Sequence, residues 1–337
     1  MWGKNNRKIL LATNFNKHCN NLLPKSFLLI YISFVIMTDR PILSIRNLTK
    51  YYGKLKALDN LTLDVYAGEI LGFLGPNGSG KTTTLGILLG ILEATSGTFS
   101  WFNKQPSHQQ RKKIGALLET PLFYPYLSGV DNLKIIARIK DVPIEDIDEI
   151  FEVIGLVERK NSKFKTYSLG MKQRLAIGAA LLGNPDVMIL DEPTNGLDPT
   201  GIVEIRDLIV SIAKRGMTIV LASHLLDEVE KICTHVVVLE KGKKLHSGSV
   251  TEVLKSKMTI ELAAMDMNAV EAAMAEEDFV TCTHLEDGLL IVELNRFMEP
   301  AEINRLLANK GIYVSHLAAR KKSLENYFLE LLSNQHV

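Results

Sequence analysis

From residue 41 onward, apolar and polar positions alternate in a readable order. Leu43 and Ile45 are separated by Ser44 and Arg46, and Leu61, Leu63 and Val65 repeat the alternation. Both stretches predict half-buried strands. Residues 69–75 (EILGFLG) run almost continuously apolar, as expected of a strand covered on both faces. A glycine-rich loop follows, then helical spacing over residues 81–92 and a further strand at 97–102. Between about residues 120 and 183 the pattern becomes helical, with apolar residues spaced for helices at 131–140 and 147–154. Residues 187–190 (VMIL), 218–222 (TIVLA) and 236–239 restore the buried-strand pattern. Strands alternating with helices predict an α/β core with a largely parallel sheet, interrupted by a helical insert.

The pattern resets after residue 256. A strand at 259–263 and a helix at 267–276 lead to a hairpin around Asp287-Gly288, formed by 279–285 and 289–294. A helix at 300–309, a strand at 312–317 and a last helix at 324–332 complete a small α+β unit. The expected organisation is therefore an extension over 1–37, an α/β unit over 38–255 with its insert at about 120–183, and an accessory unit over 256–337. The extension holds the longest apolar run, residues 27–37, eleven residues long. A membrane span needs about 20. Lysines precede the run, but no small-residue cleavage site follows it. The favoured reading is a true start at Met37, with a membrane-surface anchor as the alternative.

Composition narrows the classes. A chain of 337 residues suggests two domains, and 46% hydrophobic with 23% charged residues is a globular balance that excludes a mainly disordered chain. The formal net charge of +1 gives no global field for gripping nucleic acid. The cysteines, Cys19, Cys233 and Cys282, form no C-x-x-C pair, so neither a disulfide framework nor a structural zinc site is indicated.

The sharpest chemistry lies at Gly75-Pro76-Asn77-Gly78-Ser79-Gly80-Lys81-Thr82-Thr83, which fits G-x-x-x-x-G-K-[ST] between an expected strand and helix. Backbone N–H groups of such a loop turn onto phosphate, and the helix N-terminus adds positive dipole. Lys81 would bridge the β- and γ-phosphates of a nucleotide, and Thr82 would ligate Mg2+. A nucleotide loop of this kind calls for a second carboxylate. The apolar run at 187–190 ends in Asp191-Glu192, at the sheet edge where ligands bind. Asp191 is suited to hold Mg2+ through water, and Glu192 to polarise an attacking water. Between these motifs, residues 166–174 (TYSLGMKQR) precede an apolar helix. Ser168 reads as its N-cap, an arrangement that by itself only starts a helix.

Taken together, the motifs resemble an ABC-type ATPase with a P-loop NTPase fold. The order matches, and so does the spacing: 168 − 81 = 87 residues, then 191 − 168 = 23. Asn195-Gly196-Leu197-Asp198-Pro199 resembles the family's D-loop, and Ser223-His224 its histidine switch, 224 − 192 = 32 residues on. The likeness covers about 42–250, and residues 167–171 resemble the signature segment, with Leu169 and Met171 in place of a glycine and a glutamine. The whole chain, including the ending at 318–328, is similar to ATP-binding subunits of drug and peptide-antibiotic exporters of the bacitracin-resistance and lantibiotic-immunity type.

The resemblance implies ATP and Mg2+ as ligands, a second copy supplying Ser168 and Gly170 across a composite site, and Asp198 coupling the two copies. It makes Tyr52 the aromatic that stacks on adenine, with Tyr51 as the alternative. It makes His224 the contact to the γ-phosphate. Glu119 stands where the family usually has a glutamine, and would reach Mg2+ or the water. A separately encoded integral membrane permease would be the partner, with this chain peripheral on the cytoplasmic face. The rival class is a soluble ABC ATPase of DNA repair, translation or cluster assembly; it lacks here a long coiled coil or a second cassette. Residues 119–126 (ETPLFYPY) pack under the insert or receive the permease.

Overall fold

The structure is a computed structural model that describes residues 40–118, 122–255, 258–320 and 323–333. The expected extension over 1–37 lies outside the described residues. In chain order the elements are β1 (Leu43–Tyr52), β2 (Leu55–Val65), β3 (Ile70–Leu74), α1 (Lys81–Leu88), β4 (Ser96–Trp101), α2 (His108–Arg111) and β5 (Ile114–Leu117). There follow α3 (Gly129–Lys140), α4 (Ile147–Val153), α5 (Leu169–Leu181), β6 (Val187–Asp191), α6 (Pro199–Ala213), β7 (Thr218–Ala222) and α7 (Leu226–Ile232). Then come β8 (His235–Glu240), β9 (Lys243–Ser249), α8 (Val250–Lys255), β10 (Met258–Ala264), α9 (Met267–Ala275) and β11 (Val280–Glu286). The last are β12 (Leu289–Leu294), α10 (Pro300–Asn309), β13 (Val314–Arg320) and α11 (Leu324–Ser333).

The continuous apolar runs became the central strands. A six-stranded sheet has the order β5-β6-β7-β3-β8-β9, parallel from β5 to β8, with β9 antiparallel at the edge. Every residue of β3, β6 and β7 is buried. Strands covered on both faces have no need of alternation, which explains the pattern. The alternating segments instead form a separate three-stranded antiparallel sheet, β2-β1-β4, which the sequence did not distinguish from the main one. One large apolar cluster joins the sheet to the insert helices and α6, through residues such as Phe151, Leu175, Met188 and Ile205. A second, around Phe73, Leu85 and Trp101, joins the two sheets.

The helix expected over 81–92 ends at Leu88. Gly90 enters the left-handed region at φ 74°. The Ile91 and Gly90 N–H groups then donate back to the Gly86 and Ile87 carbonyls, a helix-terminating pair of bonds.

After α8 the chain builds β10-α9-β11-β12-α10-β13. These strands form a four-stranded antiparallel sheet of order β11-β12-β10-β13, a ferredoxin-like arrangement. Asp287 and Gly288, both at positive φ, make the tight β11–β12 turn. The unit has its own apolar cluster around Ile260, Met274, Val292 and Ile303. Helix α11 does not join that cluster; Leu324, Tyr327, Phe328 and Leu331 pack into the cluster of the first unit.

Candidate nucleotide site

The carboxyl ends of β3, β6 and β7 lie side by side, because these strands are parallel and adjacent in the order β6-β7-β3. Residues 75–80 leave the end of β3 and turn into α1. Gly75 and Gly80 sit at φ 152° and 105°. A Cβ on Gly80 would stand 2.7 Å from the Ala57 carbonyl, and one on Gly75 would stand 2.3 Å from the Leu239 carbonyl. Neither position tolerates a side chain, so the loop is pressed against β2 and β8 while its backbone forms a cradle. The β8–β9 turn braces it from behind: the Gly242 N–H donates to the Ser79 carbonyl at 3.0 Å, and the Asp59 N–H donates to the Gly242 carbonyl at 2.8 Å. Sequence reasoning missed this brace; its only signal was Lys-Gly between two strand-like stretches.

Lys81, 6% exposed, opens α1 and folds back over the loop. Its Nζ donates to the Gly75 carbonyl at 2.7 Å and to the Pro76 carbonyl at 3.4 Å. Burial lowers its pKa from the ordinary lysine value, and the nearby carboxylates of Glu192 and Asp191 oppose that shift. The interaction places the two acidic residues within electrostatic reach of the loop. Ser79 is also buried, and its Oγ has no hydrogen-bond partner. Thr82 and Thr83 follow Lys81 in the first turn of α1, where Thr84 is fully buried and donates to the Gly80 carbonyl at 2.8 Å.

Asp191, 2% exposed, ends β6 opposite Ala222 of β7. Glu192 then takes a left-handed conformation, φ 48°. Its N–H donates to the Ala222 carbonyl at 2.9 Å. Glu192 Oε2 lies 2.8 Å from His224 Nδ1 and accepts from the His224 N–H at 3.4 Å. The expected carboxylate and histidine are therefore in direct contact. Ser223 holds this turn by donating its N–H to the Phe73 carbonyl at 3.2 Å.

Ser168 caps α5 as the sequence suggested: its Oγ accepts from the Met171 N–H at 3.2 Å. Asp198 caps α6 in the same manner through the Gly201 N–H at 3.1 Å. The two caps adjoin, because the Leu169 side chain comes to 3.4 Å from where a Cβ on Gly196 would stand. Ser168 and Asp198 are exposed, while helix α5 packs on β5, α3, α4 and α6 and helix α1 packs on β2 and β6. Gln173, one turn into α5, is buried with its Oε1 unpartnered; the sequence did not single it out. Tyr51 and Tyr52 are both exposed in the β1–β2 hairpin, whose strand β2 runs on to Ala57 beside the loop. Lys50 lies over the Tyr52 ring at 5.2 Å and Lys56 over the Tyr51 ring at 5.6 Å, a cation on one face of each aromatic. Glu119 lies outside the described residues.

The residues present fit a nucleoside triphosphate. The cradle excludes side chains, a buried amine is turned over it, and a buried hydroxyl in it lacks a partner. Two carboxylates stand at the same sheet edge. Such a set binds anionic phosphate and offers carboxylate oxygens to a divalent cation.

Comparison with known proteins agrees. The family model described as "ABC transporter" matches residues 58–195. The bacitracin transport ATP-binding protein BcrA of Bacillus licheniformis is 38% identical over 86% of this chain and 97% of its own length. The lantibiotic transport ATP-binding protein SrtF of Streptococcus pyogenes is 40% identical over 60% of this chain and 88% of its own length. Among solved structures, cbiO1 from Clostridium perfringens, part of the ABC transporter complex cbiONQ, superposes with a TM-score of 0.60 at 31% identity, covering 64% of this chain and 91% of that one. The ATP-binding cassette MJ0796, solved as a dimer in a post-hydrolysis state with ADP and Pi, does so with a TM-score of 0.56 at 25% identity, covering 62% of this chain and 98% of that one. A P-loop fold, a glycine loop with a buried lysine beside two carboxylates, and kinship to transport ATP-binding proteins over 86% of the chain converge, and the chain belongs to the ABC transporter family as an ATP-binding, ATP-hydrolysing subunit.

Proposed function

We propose that this chain powers export of a peptide antibiotic or drug through a separately encoded permease, working as a pair of copies on the cytoplasmic face of a membrane. The observation that carries the nucleotide half is the buried Lys81 over its glycine cradle, within electrostatic reach of Asp191 and Glu192. The export half rests on the names of the relatives BcrA and SrtF. No helix among the described residues is long and apolar enough to cross a membrane, so a translocation path through helices calls for a partner chain.

In this reading, N–H groups of residues 75–80 and the Lys81 amine hold the phosphates, with Thr82 and Thr83 at the helix start. Lys81 trades its bonds to the Gly75 and Pro76 carbonyls for the β- and γ-phosphates. Thr82 and Asp191, with Glu119, are the candidate ligands for Mg2+, which neutralises phosphate charge when bound. Glu192 accepts a proton from the attacking water, and His224 meets the γ-phosphate. Tyr52 stacks on adenine. Ser168, exposed, and the half-buried Gly170 at the start of α5 close over the nucleotide held by the second copy, and Asp198 couples the copies.

Residues 122–126 divide the two earlier alternatives between them. Phe123 is half-buried against Phe164 at 5.0 Å between ring centres, so it belongs to the insert. Leu122, Tyr124 and Tyr126 are 94%, 50% and 65% exposed, although the Tyr124 backbone is tied to Asn132 at 2.8 Å. They form the surface proposed to receive the permease. Affinity capture of the full chain from membranes should bring down one integral membrane protein. Tyr124→Ala with Tyr126→Ala should weaken that capture while basal ATPase stays near the parental rate. Capture of no membrane protein would contradict the permease half of this reading.

A further inference from the structure

The last helix of the accessory unit, α11, returns to the ATPase and packs against the element directly behind the histidine switch. Helix α7 starts at Leu226, two residues after His224. One of its faces lies on β3, the strand that delivers the phosphate loop. The approach is close: a Cβ on Gly72 would stand 2.7 Å from the Val229 side chain and 2.9 Å from the Cys233 thiol. Helix α11 packs on α7 and on α8.

The α11 grip is specific. Its inward positions, Leu324, Tyr327, Phe328 and Leu331, fall at i, i+3, i+4 and i+7, a single helical stripe. Leu324 is 1% exposed. The N-terminus of α11 is capped twice. Ser323 Oγ accepts from the Asn326 N–H at 3.2 Å, and Glu230, from α7, accepts from the Leu324 N–H at 2.8 Å. A carboxylate there also meets the positive end of the helix dipole. On the far side, the Tyr327 ring stands edge-on to His246 of β9, 5.3 Å between centres.

The geometry points to α11 as a positioning element for ATP hydrolysis: it clamps α7 against β3 and thereby fixes the turn that carries His224 onto Glu192. The inference rests on the proposed role of His224. It assigns residues 258–333 a task, since whatever moves the ferredoxin-like unit pulls on α11 and alters the switch.

The test uses full-length chain below its melting temperature. Tyr327→Ala with Phe328→Ala should lower kcat about fivefold while KM for ATP stays within about twofold, because the phosphate cradle is untouched. Amide exchange over residues 224–232 should quicken in the same variant. Tyr327→Phe, which keeps the ring, should restore both. Unchanged kcat with unchanged exchange over 224–232 would overturn the inference, and so would a Tyr327→Phe variant as impaired as the alanine. Should the double variant not fold, Glu230→Gln decides, since it weakens the cap and leaves the packing. It should lower kcat in the same direction with faster exchange, and parental values of both would refute the clamp. His224→Ala is run in parallel. If it turns over ATP at the parental rate, the switch reading fails by itself, and the exchange data still judge the clamp.

Discussion

The carboxyl edge of the parallel sheet and the ferredoxin-like unit are built on opposite rules. In the first, polar groups are buried: Ser79, Lys81, Asp191, Thr194 and Ser223 all sit within the core, and Ser79 Oγ has no partner. In the second, every buried residue among those described is apolar, from Ile260 to Leu307. Burying an amine or carboxylate is costly unless something compensates it. The first region therefore keeps polar groups where a ligand can use them, whereas the second encloses its own apolar cluster and is proposed to act through α11.

Left-handed glycines give the largest test of that contrast. Gly80→Ala collides with the Ala57 carbonyl and forces an L side chain to φ 105°; it should cost on the order of 3 kcal/mol and remove measurable ATP binding by calorimetry. Gly288 sits at φ 80° in the β11–β12 turn, where a Cβ would meet nothing within 4 Å. Gly288→Ala should lower stability by only about 1 kcal/mol and leave ATP affinity unchanged. Equal effects on ATP affinity would erase the distinction between the regions.

A smaller effect comes from Lys140, at the end of α3. Its Nζ donates to the Ala179, Ala180 and Leu182 carbonyls at 2.8, 3.3 and 3.3 Å, at the end of the helix that Ser168 begins. Burial pulls its pKa down from 10.5 to about 8. Between about pH 8 and 10.5 the unfolded chain therefore binds more protons than the folded one, so this group makes stability rise with pH across that window. Denaturant titrations should show the stability difference between parental chain and Lys140→Met shifting toward the parental chain as pH rises from 8 to 10. A flat difference would mean that the ammonium is as well accommodated inside as in water.

Most of the nucleotide region was legible because its constraints are local in sequence. Residues 75–83 carry their own backbone logic, and the run 187–190 ends in its two acids. The accessory unit was legible for another reason: amphipathic periods at 267–276 and 300–309 and an Asp-Gly turn name its elements without any chemistry. What the sequence hid depends on distant pairing. The brace from Gly242 to Ser79 joins residues far apart in the chain, the separation of β1, β2 and β4 into their own sheet depends on register, and the return of α11 to α7 reads in sequence as the end of the accessory unit. Phe123 belongs to this group, since only its contact with Phe164 separates it from its exposed neighbours.

Lys81 is proposed to hold ATP and Glu192 to act on the water, with a second copy closing the site. Light scattering on size-exclusion fractions of full-length Glu192→Gln, run with ATP and Mg2+, addresses it directly. The expected result is a stable dimer that retains unhydrolysed ATP, and a monomer without ATP once Lys81→Ala is added. A Glu192→Gln chain that stays monomeric with ATP, or that hydrolyses it at the parental rate, would contradict it.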